Sequence, residues 1–475
     1  MTECNTERMA FQPLGRREVV GAFDGGTITS DAGGLLLREV EQRTGIIRQF
    51  AACFIDHRDA ELIEHTVEEL VAQRVYGLAL GYEDLNDHDR LRLDPLLATL
   101  VGKADPTGQD RRRERDRGKP LAGKSTLNRL ELTPVGADDA SRYKKIPADT
   151  KRIERLFVEL FIQAQPRPPE RIVLDLDATD DPVHGNQLGR FFHGYYQEYC
   201  YLPLYIFCGD ELLGAWLRPS DIDGSAGALK KVAAIVRRLR EVWPGVQIVL
   251  RGDSGFCREP LMRWCEENGV DFLFGLAKNS RLVAELQAEL TWAEQQHKAT
   301  GQAARMFRDF TYQTRDSWSR ARRVVGKAEH LDKGANPRFV VTSLSAEQFD
   351  ARTLYETEYC ARGEMENRIK EQQRFLFADR TSASTMRANQ LRLWFSSVAY
   401  TLLQALRRLG LQDTPLAQAQ CDTIRLRLLK IGAQIRVTVR KIWVAFAEGC
   451  PYEAMFRQVY QNVLATRPTW MPCRC

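Results

Sequence analysis

The sequence lacks closely paired cysteines, a signal-peptide core and a long apolar run. Its 11 cysteines are scattered through 475 residues, and none has CxxC spacing, which argues against a zinc ribbon and a disulfide scaffold. The longest apolar stretch, residues 394–406, is interrupted by serines and is shorter than the ~20 residues that a membrane-spanning helix needs. The N-terminus is polar. We therefore expect a cytoplasmic protein with reduced thiols and no membrane partner.

An excess of charge of one sign is also missing. The 68 Lys+Arg residues nearly balance the 63 Asp+Glu residues, which leaves a net charge of +5, so the total identifies no partner. The distribution is uneven, because residues 111–117 read RRRERDR and residues 425–441 are rich in arginine and lysine. Local basic segments suit a polyanion, although a run of charges is often solvated surface.

The spacing of apolar residues changes after residue 170. Residues 1–165 have mainly helical spacing, and the segment PRPP at 166–169 ends this part. Short apolar runs then predict strands over residues 171–176, 199–208, 211–218, 246–250 and 270–276. The first three strands can form an antiparallel meander, and a right-handed crossover then places strand four beside strand one. The pattern predicts an α/β fold with a mixed five-stranded sheet of order 3-2-1-4-5.

Composition and pattern divide the chain into five predicted regions. They are a helical N-terminal region (1–165), the first part of the α/β core (166–280), a β-rich insertion (281–350), a second part of the core with a polar helix (351–415), and a helical, basic C-terminal region (416–475). Strand-like apolar runs are the basis for the insertion, since they interrupt the alternation of strands and helices that precedes them.

Acidic residues follow two strands that the predicted order makes neighbours. Asp175 and Asp177 lie on one face at the end of strand one, and Asp253 follows strand four. The carboxyl ends of parallel strands open at the same edge of a sheet, where sites in open α/β folds lie. We therefore expect Asp177 and Asp253 to meet, with Asp175 as the alternative first carboxylate.

A later polar helix offers a third carboxylate. Tyr359, Arg362, Glu366 and Lys370 follow one another at spacings of three or four residues and so share one helical face. Three converging acids repel one another unless a cation joins them, and all-oxygen ligands favour Mg²⁺ or Mn²⁺. Two such ions ~4 Å apart can clamp the attacking and leaving oxygens of a phosphoryl displacement. Any one of these acids alone is more often structural or solvated.

Three motifs together resemble a known family. They are Asp177-x-Thr179, Gly252-Asp253-x-Gly255-Phe256 and Tyr359-x2-Arg362-x3-Glu366. The combination resembles the DDE transposases of bacterial insertion sequences, in the cut-and-paste branch with the signature Y-(2)-R-(3)-E-(6)-K and its group one. The strings GYEDLNDHDRLRLDP, RGDSGF and RGEMENRIKE are similar to that group, and the resemblance covers about residues 23–443. The signature lysine falls at Gln373, and Lys370, one turn earlier, is the candidate to replace it.

The resemblance implies an RNase H-like catalytic core with Asp177, Asp253 and Glu366 as catalytic ligands of two Mg²⁺ ions, for which Mn²⁺ can substitute. It implies an enzyme that nicks DNA at transposon ends and then attacks target DNA with the freed 3′-OH. Tyr359 and Arg362 would contact phosphate near the scissile bond. The resemblance also implies a homodimer on double-stranded DNA, at the nucleoid in a bacterial cytoplasm.

Other residues are candidates for DNA contact. We predict that region 1–165 binds end DNA, because it carries Arg111, Arg112 and Arg113 and precedes the core. Lys370 of the polar helix is a further candidate for DNA contact. Trp318 is either a ring that stacks on an unpaired base or an ordinary hairpin residue. Residues 118–125 match the consensus sequence of a phosphate-binding loop. Basic residues precede them, however, where such a loop needs a buried strand. No nucleotide is therefore expected.

Two other functions stay open at this level. A decayed or repurposed copy would bind DNA on the same fold without catalysis, and a hydrolytic nuclease would use the same metal site without strand transfer. The presence of all three acids favours the enzyme over the non-catalytic copy. For the first ligand, the family pattern places a threonine two residues after it, which favours Asp177 over Asp175.

Overall fold

The computed structural model of the protein describes residues 8–468. Two compact units make up the chain. One joins the residues up to Asp149 with those from Val398 onward, and the other runs from Thr150 to Ser397. No helix within residues 8–468 is long and apolar enough to cross a membrane.

The strands and helices are numbered along the chain. The strands are β1 Met9–Leu14, β2 Arg17–Gly21, β3 Ile28–Thr29, β4 Arg171–Ala178, β5 Asp181–Pro182, β6 Phe191–His193, β7 Glu198–Tyr201, β8 Leu204–Cys208, β9 Glu211–Trp216, β10 Gln247–Gly252, β11 Asp271–Leu276, β12 Ala304–Tyr312, β13 Arg322–Leu331, β14 Gly334–Ala335, β15 Arg338–Thr342, β16 Ala433–Val437 and β17 Ile442–Phe446. The α-helices are α1 Leu35–Thr44, α2 Ile46–Ala51, α3 Val67–Ala79, α4 His88–Leu91, α5 Pro95–Val101, α6 Lys124–Leu132, α7 Thr150–Ala164, α8 Ala228–Val242, α9 Glu259–Glu267, α10 Ser280–Glu285, α11 Gln287–Thr300, α12 Ala351–Thr353, α13 Gly363–Leu376, α14 Met386–Leu406, α15 Cys421–Ile424 and α16 Glu453–Ala465.

A nine-stranded mixed sheet forms the centre of the unit from Thr150 to Ser397. Its strand order is β12-β13-β15-β11-β10-β4-β8-β9, and β14 pairs with β13 outside this path. Strand β10 runs parallel to both β4 and β11, whereas β8 pairs antiparallel with β4 and β15 pairs antiparallel with β11. The unit is therefore a mixed α/β structure with its parallel strands at the middle of the sheet.

Helices cover this sheet because their apolar residues recur at helical spacing. Helix α8 buries Val232, Ile235, Val236 and Leu239. These residues join a core cluster with sheet residues such as Leu174, Leu250 and Phe272. Burying an aliphatic side chain of this size stabilises a fold by about 1.5–3 kcal/mol. A second cluster, which includes Val249 and Leu273, packs against the residues that lead to α13.

The sheet contains the path β9-β8-β4-β10-β11, which is the predicted order 3-2-1-4-5, but the segment predicted as a separate β-rich insertion belongs to the same sheet. The strands β15, β13 and β12 continue the central sheet from the edge of β11. An uncovered edge at β11 would leave backbone N–H and C=O groups without partners, and the buried valines of β13 and β15 can pack only as part of the same layer. The segment also contains two helices, α10 and α11, which the strand pattern did not indicate.

The N-terminal and C-terminal regions are less helical than the sequence indicated. The described chain opens with the antiparallel pair β1–β2, and β3 pairs with β16 in a small sheet completed by β17. Helices follow in the order expected from apolar spacing. Helix α3, for example, starts with a reciprocal cap in which Thr66 Oγ1 accepts from the Glu69 amide at 3.2 Å and Glu69 Oε2 accepts from the Thr66 amide at 2.9 Å.

Candidate active site

Two of the predicted carboxylates follow directly from the register of the parallel strands. The pairing of β4 with β10 sets Leu174 opposite Leu250 and Leu176 opposite Gly252. Asp177 and Asp253 are the residues that follow the last pair, Leu176 and Gly252, so they stand side by side at the carboxyl ends of the two strands. Both line one cavity of about 1020 Å³. The predicted meeting of these two residues is what the structure shows.

Close packing of the backbone shapes the turn that carries Asp253. Oδ1 of Asp253 accepts a hydrogen bond from the Gly255 amide at 2.8 Å, which orients the carboxylate. Gly275 on the neighbouring β11 lies so close that a Cβ there would be 2.5 Å from the Tyr359 hydroxyl and 2.9 Å from the Ser254 nitrogen. Any larger residue at position 275 would displace the turn, the tyrosine or both.

The third carboxylate comes from the first turn of α13. Residues Leu354–Tyr359 form a π-helical segment and Cys360–Arg362 a 3₁₀ turn before the helix begins, an irregularity that is frequent at functional sites. Glu366 lines the same cavity as Asp177 and Asp253. Its Oε1 is 2.7 Å from Nη2 of Arg362. Arg362 thus places a positive charge directly against Glu366.

The electrostatics of the cavity reflect this grouping. Burial raises the pKa of Asp177 to about 7, with Asp253 and Glu366 adding to the rise and Arg362 opposing it. Burial acts to lower the pKa of Arg362, but the charges of Asp177 and Glu366 outweigh it, so the pKa is raised above its usual value. Three acids and one half-buried cation therefore influence one another across a shared space.

The donors in this cavity fit a hard divalent cation by their chemistry, because they are carboxylate oxygens from three separate elements. Within residues 8–468, however, no three His, Cys, Asp or Glu side chains are close enough together to hold a metal ion. The ion pair with Arg362 engages Glu366 instead. The three carboxylates thus line one cavity, and in this structure Glu366 is paired with Arg362.

Asp175, the alternative first ligand, is engaged elsewhere. Its Oδ1 and Oδ2 accept from Nε and Nη2 of Arg251 at 2.5 and 2.8 Å. Arg251 also donates to the backbone carbonyl of Glu358. Only 3% of Asp175 is exposed, so this is a buried, bidentate ion pair beside the cavity. We infer a structural role for Asp175.

Further polar residues line the cavity around the acids. Lys370 is exposed on α13, and Gln373 lies one turn beyond it. The Gln373 amide donates to the Asp180 carbonyl at 3.0 Å and to Oδ1 of Asp181 at 2.9 Å. Sequence reasoning did not select Asp181, although it is fully buried and burial raises its pKa to about 8. No sequence signal identified Asp181, because its contact with Gln373 joins residues 192 positions apart.

Several cationic and aromatic residues of the cavity were also missed. They are Arg258, Arg374, His193, Tyr195 and Tyr196. No motif marks them. His193 ends β6, Tyr195 and Tyr196 lie in the turn that follows it, and the position of this turn depends on the tertiary fold. Together with Arg362 and Lys370 they give the cavity four basic side chains beside its four acidic ones, and an aromatic part of its lining.

Of the two roles left open for Trp318, base stacking and an ordinary hairpin position, the structure favours the second. Only 7% of Trp318 is exposed. Its ring meets Tyr312 edge to face with centroids 5.8 Å apart, and the Arg322 guanidinium lies over it at 5.4 Å. No ring face is left for a base, so Trp318 is a core residue of the extended sheet.

Part of the predicted basic run, residues 111–117, forms ion pairs and hydrogen bonds within its own unit. Arg111 forms an ion pair with Glu64 at 2.5 Å and its Nη1 is 2.9 Å from Nε2 of His65. Burial, and then the charge of Arg111, lowers the pKa of His65 to about 3, so this ring is a neutral acceptor. Arg112 donates to the Glu61 carbonyl at 2.5 Å. Arg112 and Arg113 are exposed.

The apparent phosphate-binding loop has a different local structure. Helix α6 begins at Lys124 after Gly123, and the residues before it form turns and a short 3₁₀ segment, Glu114–Asp116. Nζ of Lys124 is 3.4 Å from Oδ2 of Asp89. This is an exposed surface ion pair at the start of a helix.

Comparison with known proteins extends over nearly the whole chain. The family model described as "Transposase DDE domain group 1" matches residues 11–468. No curated protein matches the sequence. Among solved structures, the chain is similar to one described as a piggyBac transposase synaptic complex with hairpin DNA, with 11% identity, 94% of this chain and 87% of that chain covered, and a TM-score of 0.40.

Proposed function

The chain belongs to the transposase family with a group 1 DDE domain, and from this premise we propose that it nicks DNA at transposon ends and joins the freed 3′-OH to target DNA. The observation that carries the proposal is the single cavity that Asp177, Asp253 and Glu366 share at the ends of β4 and β10 and on α13. A core of this kind, with the two aspartates on neighbouring strands, is consistent with an RNase H-like catalytic fold.

We propose that Asp177, Asp253 and Glu366 hold two Mg²⁺ ions. When bound, such ions neutralise the carboxylates and stabilise the charge that develops on phosphoryl oxygens. Residues of the chain supply the remaining contacts with DNA. Arg362 holds Glu366 in the cavity and, once the acids are neutralised, has its guanidinium available for a DNA phosphate.

Tyr359 and the cations of α13 position the DNA backbone in this proposal. Burial raises the pKa of Tyr359 above its usual value, so the phenol keeps its proton and can donate to a phosphate oxygen. Lys370 and Arg374 present further positive charge along the cavity wall. Gln373 cannot replace the charge of a lysine, because its amide is neutral, and the amide is already bonded to Asp180 and Asp181.

The test of this function is an assay on the natural DNA. The full-length protein, with Mg²⁺ and a duplex that contains the sequence flanking its coding frame, should nick that duplex and join its 3′ end to a second DNA. Nicks without joined product would indicate a nuclease. Binding without nicks would indicate a non-catalytic copy and contradict the proposal.

Metal binding should be visible as thermal stabilisation. Mg²⁺ at about 100 times its dissociation constant should stabilise the folded protein by about 2.7 kcal/mol, because it binds the assembled acids and hardly binds the unfolded chain. Asp253→Asn should melt at a higher temperature than wild type in EDTA, since one repelling charge is gone, and should gain little from Mg²⁺.

The control for this melt is Glu364→Gln, which removes an exposed carboxylate from the same helix. Glu364→Gln should gain as much from Mg²⁺ as the wild type does. Equal metal-induced shifts in wild type and Asp253→Asn, measured by scanning calorimetry, would show that the three carboxylates do not share a metal site.

Binding of end DNA by the first basic run should depend on Arg112 and Arg113. We propose these two because their side chains are exposed, whereas Arg111 holds Glu64 and His65. The variant Arg112→Ala/Arg113→Ala should lower the slope of log K against log salt concentration by about two phosphate contacts. Arg111→Ala should instead lower the melting temperature. An unchanged slope in the double variant would make the run ordinary solvated surface.

A further inference from the structure

Part of the second basic run, residues 425–441, is used within the fold. The Arg425 guanidinium donates to the Ala79 carbonyl at 2.9 Å. Nζ of Lys430 lies 2.6 Å from Oδ1 of Asp31, which is buried. A cation that is held by an internal partner has little freedom to bind another molecule. These two cations therefore belong to the packing of their unit and not to a binding surface.

Three later cations of the same run have no such partner. They stand on the hairpin β16–β17, which has no acidic residue between positions 431 and 447. All three are exposed, and within residues 8–468 no carboxylate forms an ion pair with them. The three are Arg436, Arg440 and Lys441. The hairpin thus presents positive charge that the described part of the chain does not neutralise.

A tryptophan orders two of these cations on the hairpin. Trp443 stands opposite Arg436 in the strand register, and opposite residues of an antiparallel pair lie on the same face. The Arg436 guanidinium lies 5.7 Å from the centre of the indole ring, and Nζ of Lys441 lies 5.2 Å from it. Such contacts hold a cation in place without neutralising it. Trp443 is 49% exposed, so part of its ring also stays accessible.

The tip of the hairpin is fixed by hydrogen bonds and carries an apolar side chain. The last paired residues are Val437 and Ile442. Thr438 then closes the turn, because its Oγ1 donates to the Lys441 carbonyl at 2.9 Å and accepts from the Lys441 amide at 3.1 Å. Val439 at this tip is fully exposed, so its side chain gains no burial within the fold. In protein–DNA complexes, apolar side chains contact thymine methyl groups or enter between bases.

Charge and shape together fit duplex DNA. A cluster of exposed cations without acidic neighbours on the same hairpin suits a polyanion, and duplex DNA carries one negative charge per about 1.7 Å of helix axis. A two-stranded ribbon can enter the major groove, which is about 12 Å wide. There its cations would reach phosphates along the groove while its tip faces the base edges. Among polyanions we choose DNA because the chain belongs to a transposase family.

We propose that the tip of hairpin β16–β17 is a binding surface for duplex DNA, with Arg436, Arg440 and Lys441 on phosphates and Val439 at the floor of the groove. The inference rests on the proposed function for its choice of DNA. Binding through the hairpin needs neither metal nor the acids of the cavity, because phosphate contacts supply its free energy. Hairpin binding and cleavage can therefore each fail without the other.

The salt dependence of DNA binding by the full-length protein tests the proposal. Fluorescence anisotropy with a labelled duplex of about 30 base pairs, in EDTA, measures the affinity. The variant Arg436→Gln/Arg440→Gln/Lys441→Gln should bind at least about tenfold more weakly at about 100 mM salt, and its slope of log K against log salt concentration should fall by up to about three phosphate contacts. Because the three residues are exposed, the variant should keep the wild-type melting temperature, which separates lost binding from lost folding.

The control variant removes the same charge from other surfaces. Arg155→Gln/Arg263→Gln/Arg457→Gln also deletes three exposed cations, but each of them pairs with a glutamate on its own helix. This variant should keep the wild-type salt slope and melting temperature. Equal losses of affinity in the two triple variants would show that net charge, and not the hairpin, sets the affinity, and would overturn the proposal.

A negative charge at the tip tests how the hairpin meets DNA. Val439→Glu should weaken duplex binding at least about tenfold, because it brings a carboxylate against phosphates. Leu464→Glu, which places the same charge on an exposed part of α16, should bind like wild type. Normal binding by Val439→Glu, an unchanged slope in the hairpin variant, or a wild type that does not bind the duplex in EDTA would each overturn the proposal. So would a hairpin variant that loses affinity for single strands but keeps it for the duplex.

Discussion

Asp177→Asn, Asp253→Asn and Glu366→Gln should each lower the rate of end nicking by about 10²–10³-fold or more. Each change keeps the shape of the side chain and removes a charge from the shared cavity. An amide is a weak ligand for a hard dication, so the two proposed metal ions would no longer be held in place. The measurement is the single-turnover rate of nicking on end DNA with Mg²⁺.

Affinity for end DNA should survive these changes. Lysine and arginine contacts to phosphate supply most of the binding energy, and the loss of an acidic charge does not weaken them. Glu364→Gln on the same helix should nick at the wild-type rate, because Glu364 faces solvent and does not line the cavity. A variant of Asp177, Asp253 or Glu366 that nicks normally would remove that residue from the catalytic site.

Arg251→Ala should destabilise the unit from Thr150 to Ser397 by about 3–5 kcal/mol. The substitution leaves the Asp175 carboxylate buried among the strands without the guanidinium that both of its oxygens contact. Burial already raises the pKa of Asp175 despite that contact. Urea unfolding followed by circular dichroism measures the loss, provided that the transitions of the two units are fitted separately.

A double variant separates the charge from the packing. Arg251→Met/Asp175→Leu should recover most of the lost stability, because apolar residues of similar size can replace a buried ion pair. Arg263→Ala, which removes an exposed pair with Glu267 on α9, should hardly change the unfolding curve. If Arg251→Ala unfolds like wild type, the pair is not a structural element and Asp175 becomes a candidate ligand again.

The positions of the strands near the site could be predicted because the information is local. Continuous apolar runs such as RIVLDL mark strands buried on both faces, and β4, β10 and β11 lie within one or two residues of the predicted ranges. The predicted strand over residues 199–208 is divided into β7 and β8. Pro203 stands at this break, and proline cannot donate to a strand ladder.

The environment of single side chains could not be predicted in the same way. Trp318 is surrounded by arginines in the sequence, yet Tyr312 and Arg322 cover its ring in the structure. Arg111 belongs to a basic run, yet Glu64, from a distant part of the chain, binds it. Sequence neighbours show the charge of a segment, whereas contacts between distant residues decide which charges are exposed.

Apolar periodicity, which depends on residues a few positions apart, was sufficient for the α/β class and for most strands of the core. The choice of Asp177, Asp253 and Glu366 as proposed ligands needed the family resemblance as well. Long-range pairing decided that β15, β13 and β12 extend the sheet, that Arg251 engages Asp175 and that Arg362 holds Glu366. Those contacts join residues whose separation along the chain carries no periodic signal, and only the packed fold brings them together.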